Sequence, residues 1–193
     1  SPSARFNLAM CSGRGSGSSF KPFVLATALE QGMPLDTRYP APRTRTFTFG
    51  GSSPPWTVTG GGSSSADLRG MTVNSYNTAY AALMIDVGPS NAIQMAHRLG
   101  ITTPISAVPA AVLGSENVRV LDMANAYATF ANSGLHVAPV FVDRIERADG
   151  TILWQHQHTQ QRVISSDIAD TITDILVDAV QGGTGRSARL PTQ

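Results

Sequence analysis

The stretch GSSFKPFVLATALEQG, residues 17–32, predicts a helix with reactive side chains at its start. A Gly- and Ser-rich approach precedes Ser18, Pro22 suits a first turn because its missing N–H costs nothing there, and Gly32 ends the apolar stripe. Lys21 is the only lysine among the 14 basic residues. Lysine, unlike arginine, can release its proton when its surroundings favour the neutral amine. Base chemistry at Lys21 is therefore the first hypothesis.

Ser18 and Lys21 are spaced to meet on one face of that helix, within reach of a hydrogen bond. The partial positive charge of the helix N-terminus and burial both favour the neutral amine, which can take a proton from a serine. The spacing alone is weak evidence, because with 19 serines in 193 residues it arises by chance about one time in ten. Ser19 is the rival nucleophile, but it should point to another face of the helix.

A second group, Ser75-Tyr76-Asn77, lies between two predicted helices. In an extended link, residues two apart point the same way, so Ser75 and Asn77 can face one cavity while Tyr76 faces elsewhere. A hydroxyl and an amide placed in this way could relay a proton and hold a substrate amide. The alternative, that both residues only cap the helix starting near Asn77, is equally open on this evidence.

Six helices and one β-hairpin are predicted along the chain. The helices are expected at residues 18–32, 66–73, 79–88, 89–100, 118–134 and 165–181. The hairpin is expected at residues 137–157, turning at Asp149-Gly150. Residues 33–65, rich in Pro, Gly, Thr and Ser, are predicted as a long irregular surface segment with one short strand near residues 45–49. So few strands suggest helices wrapped round a sheet that this chain lacks.

The overall composition excludes several classes of partner. Fourteen basic and 13 acidic residues leave a net charge of +1 with no basic run, so neither nucleic acid nor an anionic membrane is indicated as a partner. Cys11 is the only cysteine, which excludes an internal disulfide and a cysteine-based metal site. His156 and His158 could bind a metal, but an exposed pair on a strand is favoured because no third ligand is near in the sequence. No apolar run approaches the length of a membrane span.

Three separated segments resemble, in the same order, the transpeptidase domain of class A penicillin-binding proteins. They are GSSFKPFVLATALEQG, MTVNSYNTA and LDMANAYATFANSGLHVAPVFV. The pair SxxK and SxN is typical of penicillin-binding proteins and serine β-lactamases, in which KTG completes the set. The resemblance runs from Phe6 to Arg189. It implies an α+β, β-lactamase/transpeptidase-like fold that residues 1–193 contain in part: mainly helices plus a hairpin, with most of the central antiparallel sheet missing.

The resemblance also implies a role for each candidate residue. Ser18 would be the acylated nucleophile, Lys21 the base that deprotonates it, and Ser75 the group that passes the proton toward the leaving D-alanine. Asn77 would hold the acyl-donor amide, with Tyr76 beside it among the substrate-binding residues. The implied enzyme is a peptidoglycan D,D-transpeptidase or carboxypeptidase that acts on stem peptides ending in D-Ala-D-Ala and is acylated by β-lactam antibiotics. It needs no metal or cofactor.

Further partners and the location follow from the same resemblance. We expect a glycosyltransferase domain upstream and a position on the extracytoplasmic face of the bacterial cell membrane, with the export signal and anchor outside this chain. The KTG motif is absent, although its strand should begin after GGTGRSARLP. In the family that strand supplies one of two oxyanion-hole N–H groups, and loss of one such donor costs about 10²–10³ in rate. We therefore expect another segment to supply the sheet.

Three other functions stay open on the sequence. A β-lactam sensor would acylate and signal rather than turn over. A serine β-lactamase is less favoured, because Tyr76 replaces the Asp of its SDN motif and no segment resembles its deacylating Glu loop. A scaffold without activity is disfavoured by the intact Ser18, Lys21, Ser75 and Asn77.

Overall fold

The computed structural model describes residues 7–11, 13–51 and 54–190. In this part of the chain, helices α1–α6 span Lys21–Glu30, Leu68–Val73, Asn77–Val87, Pro89–Leu99, Val120–Ala131 and Ser166–Gln181. Strands β1–β10 span Gly13–Gly15, Arg38–Ala41, Thr44–Phe47, Trp56–Thr59, Ser63–Asp67, Asn117–Arg119, Leu135–Val137, Arg144–Glu146, Ile152–Gln155 and Gln160–Arg162. Short 3₁₀ turns lie at Gly17–Phe20, Pro109–Leu113 and Arg186–Ala188. None of the helices described is long and apolar enough to cross a membrane.

Helix α1 lies at the centre of the molecule. Its residues from Lys21 to Ala28 are all buried, and it packs against α3, α4 and α6. Helix α3 is buried from Thr78 to Met84 in the same way. A helix that is apolar on all sides has to be covered on all sides, and α1 is covered by its helical neighbours. Aromatic side chains fill the space between α1 and α5, where the Phe23 ring stacks on the Phe130 ring with 5.9 Å between the ring centroids.

Charged side chains hold the outer helices against this core. Arg98 of α4 makes a two-pronged contact with Glu30 at the end of α1, with nitrogen–oxygen distances of 2.7 and 2.8 Å. Arg69 of α2 contacts both Asp174 and Asp178, one turn apart on α6. Planar guanidinium groups suit such paired contacts with carboxylates. The second set fixes α6 beside the helix that leads into the SxN motif.

The ten strands form five antiparallel pairs, and only one is the predicted hairpin. That pair, β8 with β9, turns at Asp149-Gly150, and Thr151 N–H donates to Asp149 Oδ1 at 2.9 Å. The prediction of a long irregular segment at residues 33–65 is wrong, because it contains β2–β5, with β3 paired to β4 and β2 to β5. The short strand predicted near residues 45–49 is confirmed as β3, in which the threonines face outward while Phe47 is buried.

Candidate active site

The candidate nucleophile lies on a turn rather than in the α-helix itself. The 3₁₀ turn Gly17–Phe20 precedes α1, which begins at Lys21, so the predicted helical start at Ser18 is corrected by one turn. Ser18 is exposed, whereas Lys21 is 2% exposed. A 3₁₀ turn brings residues three apart almost into line, which keeps Ser18 over Lys21 as the spacing predicted.

Two glycines allow this turn to pack against the 3₁₀ turn Pro109–Leu113. Gly17 and Gly114 both have positive φ angles, 55° and 66°, and Gly17 N–H donates to the Gly114 carbonyl at 3.4 Å. A Cβ at position 114 would lie 2.0 Å from the Gly17 nitrogen. Any side chain at 114 would therefore push the nucleophile's turn away.

The Lys21 amine gathers all three of the polar groups named from the sequence. Its Nζ lies 3.0 Å from Ser18 Oγ, 2.8 Å from Ser75 Oγ and 2.7 Å from Asn77 Oδ1. It also lies 2.8 Å from the Ser75 backbone carbonyl oxygen. Ser18 on the turn before α1 and Lys21 at its start thus meet the SxN group, which lies 54 to 56 residues after Lys21 in the chain.

Counting hydrogens around Lys21 shows which way a proton can move. The Ser75 carbonyl and Asn77 Oδ1 can only accept, so they take two of the amine's N–H groups. The remaining position on Nζ faces the two hydroxyls, which can donate or accept. In the ammonium form Nζ donates there; in the neutral form its lone pair accepts an O–H hydrogen. The arrangement would allow one proton to pass between Lys21 and a serine.

Burial prepares Lys21 for that transfer. Removal from water lowers the pKa of Lys21 from its ordinary value to about 8. The ring of Tyr80 lies against the amine, with 5.4 Å from Nζ to the ring centroid. Tyr80 is fully buried, and its hydroxyl lies 2.6 Å from Thr72 Oγ1, which itself donates to the Leu68 carbonyl. Tyr80 is not predicted from the sequence, although a spacing of three residues puts Asn77 and Tyr80 on one helix face.

The capping interpretation of the SxN group is not supported by the contacts. Tyr76 is the residue that caps α3, and no side chain makes a capping hydrogen bond there. The predicted extended link is wrong, because Ser75 has a φ angle of 54°, in the left-handed region, and Asn77 begins α3. This conformation turns both the hydroxyl and the carbonyl of Ser75 toward Lys21. Tyr76 packs partly buried against the hydrophobic core. A direct contact of Tyr76 with substrate stays a prediction.

A cavity of about 450 Å³ opens beside Ser18 and Ser75. Its far wall is formed by α6 residues Leu176, Ala179 and Val180, and Tyr127 of α5 also lines it. The Tyr127 hydroxyl donates to the Ser19 carbonyl at 2.9 Å. Burial raises the pKa of Tyr127 to about 12, so this hydroxyl keeps its proton at neutral pH. Ser19, the rival nucleophile, instead donates its Oγ hydrogen to the Ser16 carbonyl at 2.5 Å.

The other candidate groups lie away from this site. His158 Nε2 is 2.5 Å from Asp143 Oδ1, and His156 lies beside His158. The prediction that the two histidines share a strand is wrong, because β9 ends at Gln155. Across residues 7–11, 13–51 and 54–190, no three His, Cys, Asp or Glu residues gather as they would to hold a metal ion. Cys11 is exposed and unpaired as a thiol.

Comparison with known proteins identifies the family of the chain. The family model of the penicillin-binding protein transpeptidase domain matches residues 4–193. The chain belongs to this family. The family resemblance predicted from the three sequence segments is confirmed.

One relative and two solved structures illustrate the extent of the match. Penicillin-binding protein 2a of Streptococcus pneumoniae is 31% identical over 186 residues, which cover 95% of this chain and 25% of the relative. The D,D-transpeptidase domain of a peptidoglycan glycosyltransferase from Eggerthella lenta is 26% identical with a TM-score of 0.81, over 96% of this chain and 53% of that one. The PonA1 protein from Mycobacterium tuberculosis in complex with penicillin V is 30% identical with a TM-score of 0.75, over 88% and 48%.

These matches confirm the predicted fold class and set its extent. The fold is that of penicillin-binding transpeptidase domains, and the chain covers about half of each solved chain. It spans about a quarter of the length of the curated relatives that it matches over most of its length.

Proposed function

We propose that this chain carries the acylating half of a peptidoglycan D,D-transpeptidase site. The proposal rests on one observation: the Lys21 amine lies within hydrogen-bonding distance of Ser18 Oγ, Ser75 Oγ and Asn77 Oδ1 at the same time. Membership of the transpeptidase family supports the reaction class. The complex of PonA1, a similar structure, with penicillin V supports β-lactams as ligands of the site.

The proposed reaction has two steps. Neutral Lys21 takes the Ser18 proton while Oγ bonds to the penultimate D-Ala carbonyl carbon of the stem peptide. The peptide C–N bond breaks, and the proton passes through the Ser75 hydroxyl to the leaving D-alanine amine. An amine from a neighbouring stem then attacks the acyl-serine, gives its proton back through the same groups and frees Ser18. With water as acceptor, the same steps give a carboxypeptidase.

A β-lactam would enter the same first step with a different outcome. Its ring amide takes the place of the D-Ala-D-Ala bond, so Ser18 Oγ bonds to the ring carbonyl carbon and the ring C–N bond breaks. The leaving amine stays attached to the acyl group, and so it does not clear the site for the second amine. The acyl-serine then persists.

The test is to incubate the full-length parent protein with a fluorescent penicillin and follow the label by mass over time. Stable label on the peptide carrying Ser18, together with crosslinked product from a stem-peptide donor and acceptor, is the expected result. Stable label without crosslinking would point to a β-lactam sensor, and rapid loss of label to a β-lactamase. No label at all would refute an acyl-serine enzyme.

The rate of acylation should rise with pH, because Lys21 must be neutral to act as the base. With a pKa of about 8, the neutral fraction grows about 50-fold between pH 6 and pH 8 and then levels off. The measurement is the second-order rate constant of penicillin labelling between pH 6 and pH 10, with the stability of the protein checked at each pH. A rate that is flat across this range would contradict the assignment of Lys21 as the base.

We also propose that a sheet carrying the KTG motif covers an apolar groove between α5 and α6. The groove has a volume of about 540 Å³, and Phe130, Leu176 and Val180 line it. Val177 and Leu190, on the same surface, are 51% and 87% exposed. Large exposed apolar surfaces usually receive another part of a protein. The groove shares Tyr127 with the catalytic cavity, so a strand seated there would reach Ser18.

Two wider proposals rest on the similar proteins. An upstream glycosyltransferase domain is supported by the Eggerthella lenta structure, described as the transpeptidase domain of a peptidoglycan glycosyltransferase. The second proposal is a position on the extracytoplasmic face of the cell membrane, where stem peptides are crosslinked.

A further inference from the structure

A glycine-rich link between β4 and β5 touches the amide of Asn77. Asn77 Nδ2 donates to the Thr59 carbonyl at 3.0 Å, and the Asn77 backbone N–H donates to the Gly60 carbonyl at 2.7 Å. Thr59 ends β4, and Gly60 follows it with a φ angle of 102°. Two successive backbone carbonyls thus hold the side chain and the main chain of one SxN residue.

These contacts decide which end of the Asn77 amide faces Lys21. The Thr59 carbonyl can only accept, so it pairs with Nδ2 and would repel Oδ1 in the flipped amide. Oδ1 is thereby directed to Lys21 Nζ, 2.7 Å away. Nδ2 has two hydrogens, and only one is used by Thr59. The other stays available for the carbonyl of an acyl donor.

The link is itself fixed in place by the neighbouring strands. Gly60 N–H donates to the Arg43 carbonyl at 3.0 Å, and Gly62 N–H donates to the Ala41 carbonyl at 2.9 Å. Thr78, the residue after Asn77, donates its hydroxyl to the Pro42 carbonyl at 2.9 Å. The link and the start of α3 therefore share one rigid base at the root of the β3–β4 pair.

No side chain can be placed at Gly60 without moving Asn77. A Cβ at position 60 would lie 2.5 Å from Asn77 Nδ2 and 3.1 Å from its Cγ. In real proteins a Cβ does not come within 2.5 Å of a non-bonded heavy atom from another part of the chain. Since the Asn77 amide is held at both ends, it would have to give up its contact with Thr59 or with Lys21.

We infer that Thr59 and Gly60 are positioning residues for the acyl-transfer site. They act through Asn77, whose amide they orient toward Lys21 and toward the acyl donor. This inference rests on the proposed function, because Asn77 is assigned to the donor amide there.

The test compares Gly60→Ala with Gly150→Ala in the full-length parent protein. Gly150 is a matched control, because it also has a positive φ angle, 87°, but a Cβ there would meet open space on the remote β8–β9 turn. We expect Gly60→Ala to reduce the rate constant of penicillin acylation at least 10-fold and Gly150→Ala to leave it within two-fold. The loss of an acceptor from the Lys21 ammonium should also move the half-maximal rate of Gly60→Ala to lower pH. Acylation within two-fold of the parent, or slower acylation with an unchanged pH profile, would overturn the inference.

A thermal measurement covers the case in which Gly60→Ala is unstable. In an Asn77→Ala background the atoms at 2.5 and 3.1 Å are gone, so the loss of Tm caused by Gly60→Ala should shrink to that caused by Gly150→Ala. An excess loss that persists without the Asn77 amide would show that the collision lies elsewhere and overturn the inference. If the parent protein takes no label, the proposed function fails, and this Tm comparison still decides whether Gly60 acts on Asn77.

Discussion

Lys21→Arg should abolish acylation of Ser18 by penicillin, with a fall in rate of about 10³-fold or more. Arginine stays charged at any pH at which the protein is folded, so it cannot take the Ser18 proton. The position is also closed, because the Lys21 side chain is buried and its amine already lies within 3.0 Å of four acceptors. The measurement is the second-order rate constant of fluorescent penicillin labelling, followed to long times.

Lys21→Met is the matched variant, since it nearly conserves the side-chain volume and adds no charge. It should fold, as judged by a cooperative thermal transition, and be as inactive as Lys21→Arg. If the charged Lys21→Arg and the neutral Lys21→Met are both inactive, the cause is the loss of the base and not the disruption of the site by a bulky cation. Labelling of either variant within 10-fold of the parent would show that another group deprotonates Ser18.

Asp122→Ala should be among the most destabilising single changes in the chain, by about 3 kcal/mol, because it breaks a buried network around a charged group. Asp122 lies in the first turn of α5, and one of its oxygens accepts four hydrogen bonds, from the backbone N–H and the hydroxyl of Thr102 and of Thr103. The network ties the segment after α4 to the helix that carries Tyr127. The measurement is the free energy of unfolding in urea, compared with that of Asp36→Ala at an exposed turn, where little change is expected.

The same carboxylate gives a stability effect with a defined sign in pH. Burial alone would raise the pKa of Asp122, but the hydrogen bonds from Thr103 and Thr102 outweigh it and hold the pKa below its ordinary value of 3.8. A lowered pKa stabilises the fold above the pKa of the unfolded chain, and this stabilisation is lost as the pH falls through the folded value. The difference between the parent and Asp122→Ala should therefore shrink below about pH 4. A difference that is constant down to pH 2 would contradict the network.

That the candidate catalytic residues lie together was partly predictable, because Ser18 and Lys21, and likewise Ser75 and Asn77, are close in the sequence. Ser18 and Lys21 are three residues apart, and a 3₁₀ turn or an α-helix brings such residues together equally well. Ser75 and Asn77 do share one partner as predicted, but not through an extended link: Ser75 lies in a left-handed turn and Asn77 begins α3. Helix α6 was predicted with nearly its observed start, because Ser165 is a strong capping residue and accepts from Ile168 N–H at 3.3 Å.

The rest depends on contacts between distant segments. Strand β1 pairs with β6, about a hundred residues later, and such a pair has no turn to mark it in the sequence. Thr59 and Gly60 reach Asn77 across 18 and 17 residues, through backbone carbonyls that every residue type possesses. Gly60 was therefore indistinguishable from the other glycines of a loop until its neighbours were known. Spacing predicts which side chains can react, but not what holds them in place.

Ser75 sets stability and activity against each other. A serine held at a φ angle of 54° costs about 1 kcal/mol relative to glycine, which adopts this conformation freely. A change to glycine would relax the backbone and keep the carbonyl that contacts Lys21, yet it would remove the hydroxyl that we propose to relay the proton. Glycine would therefore favour stability at this position, whereas serine would favour activity.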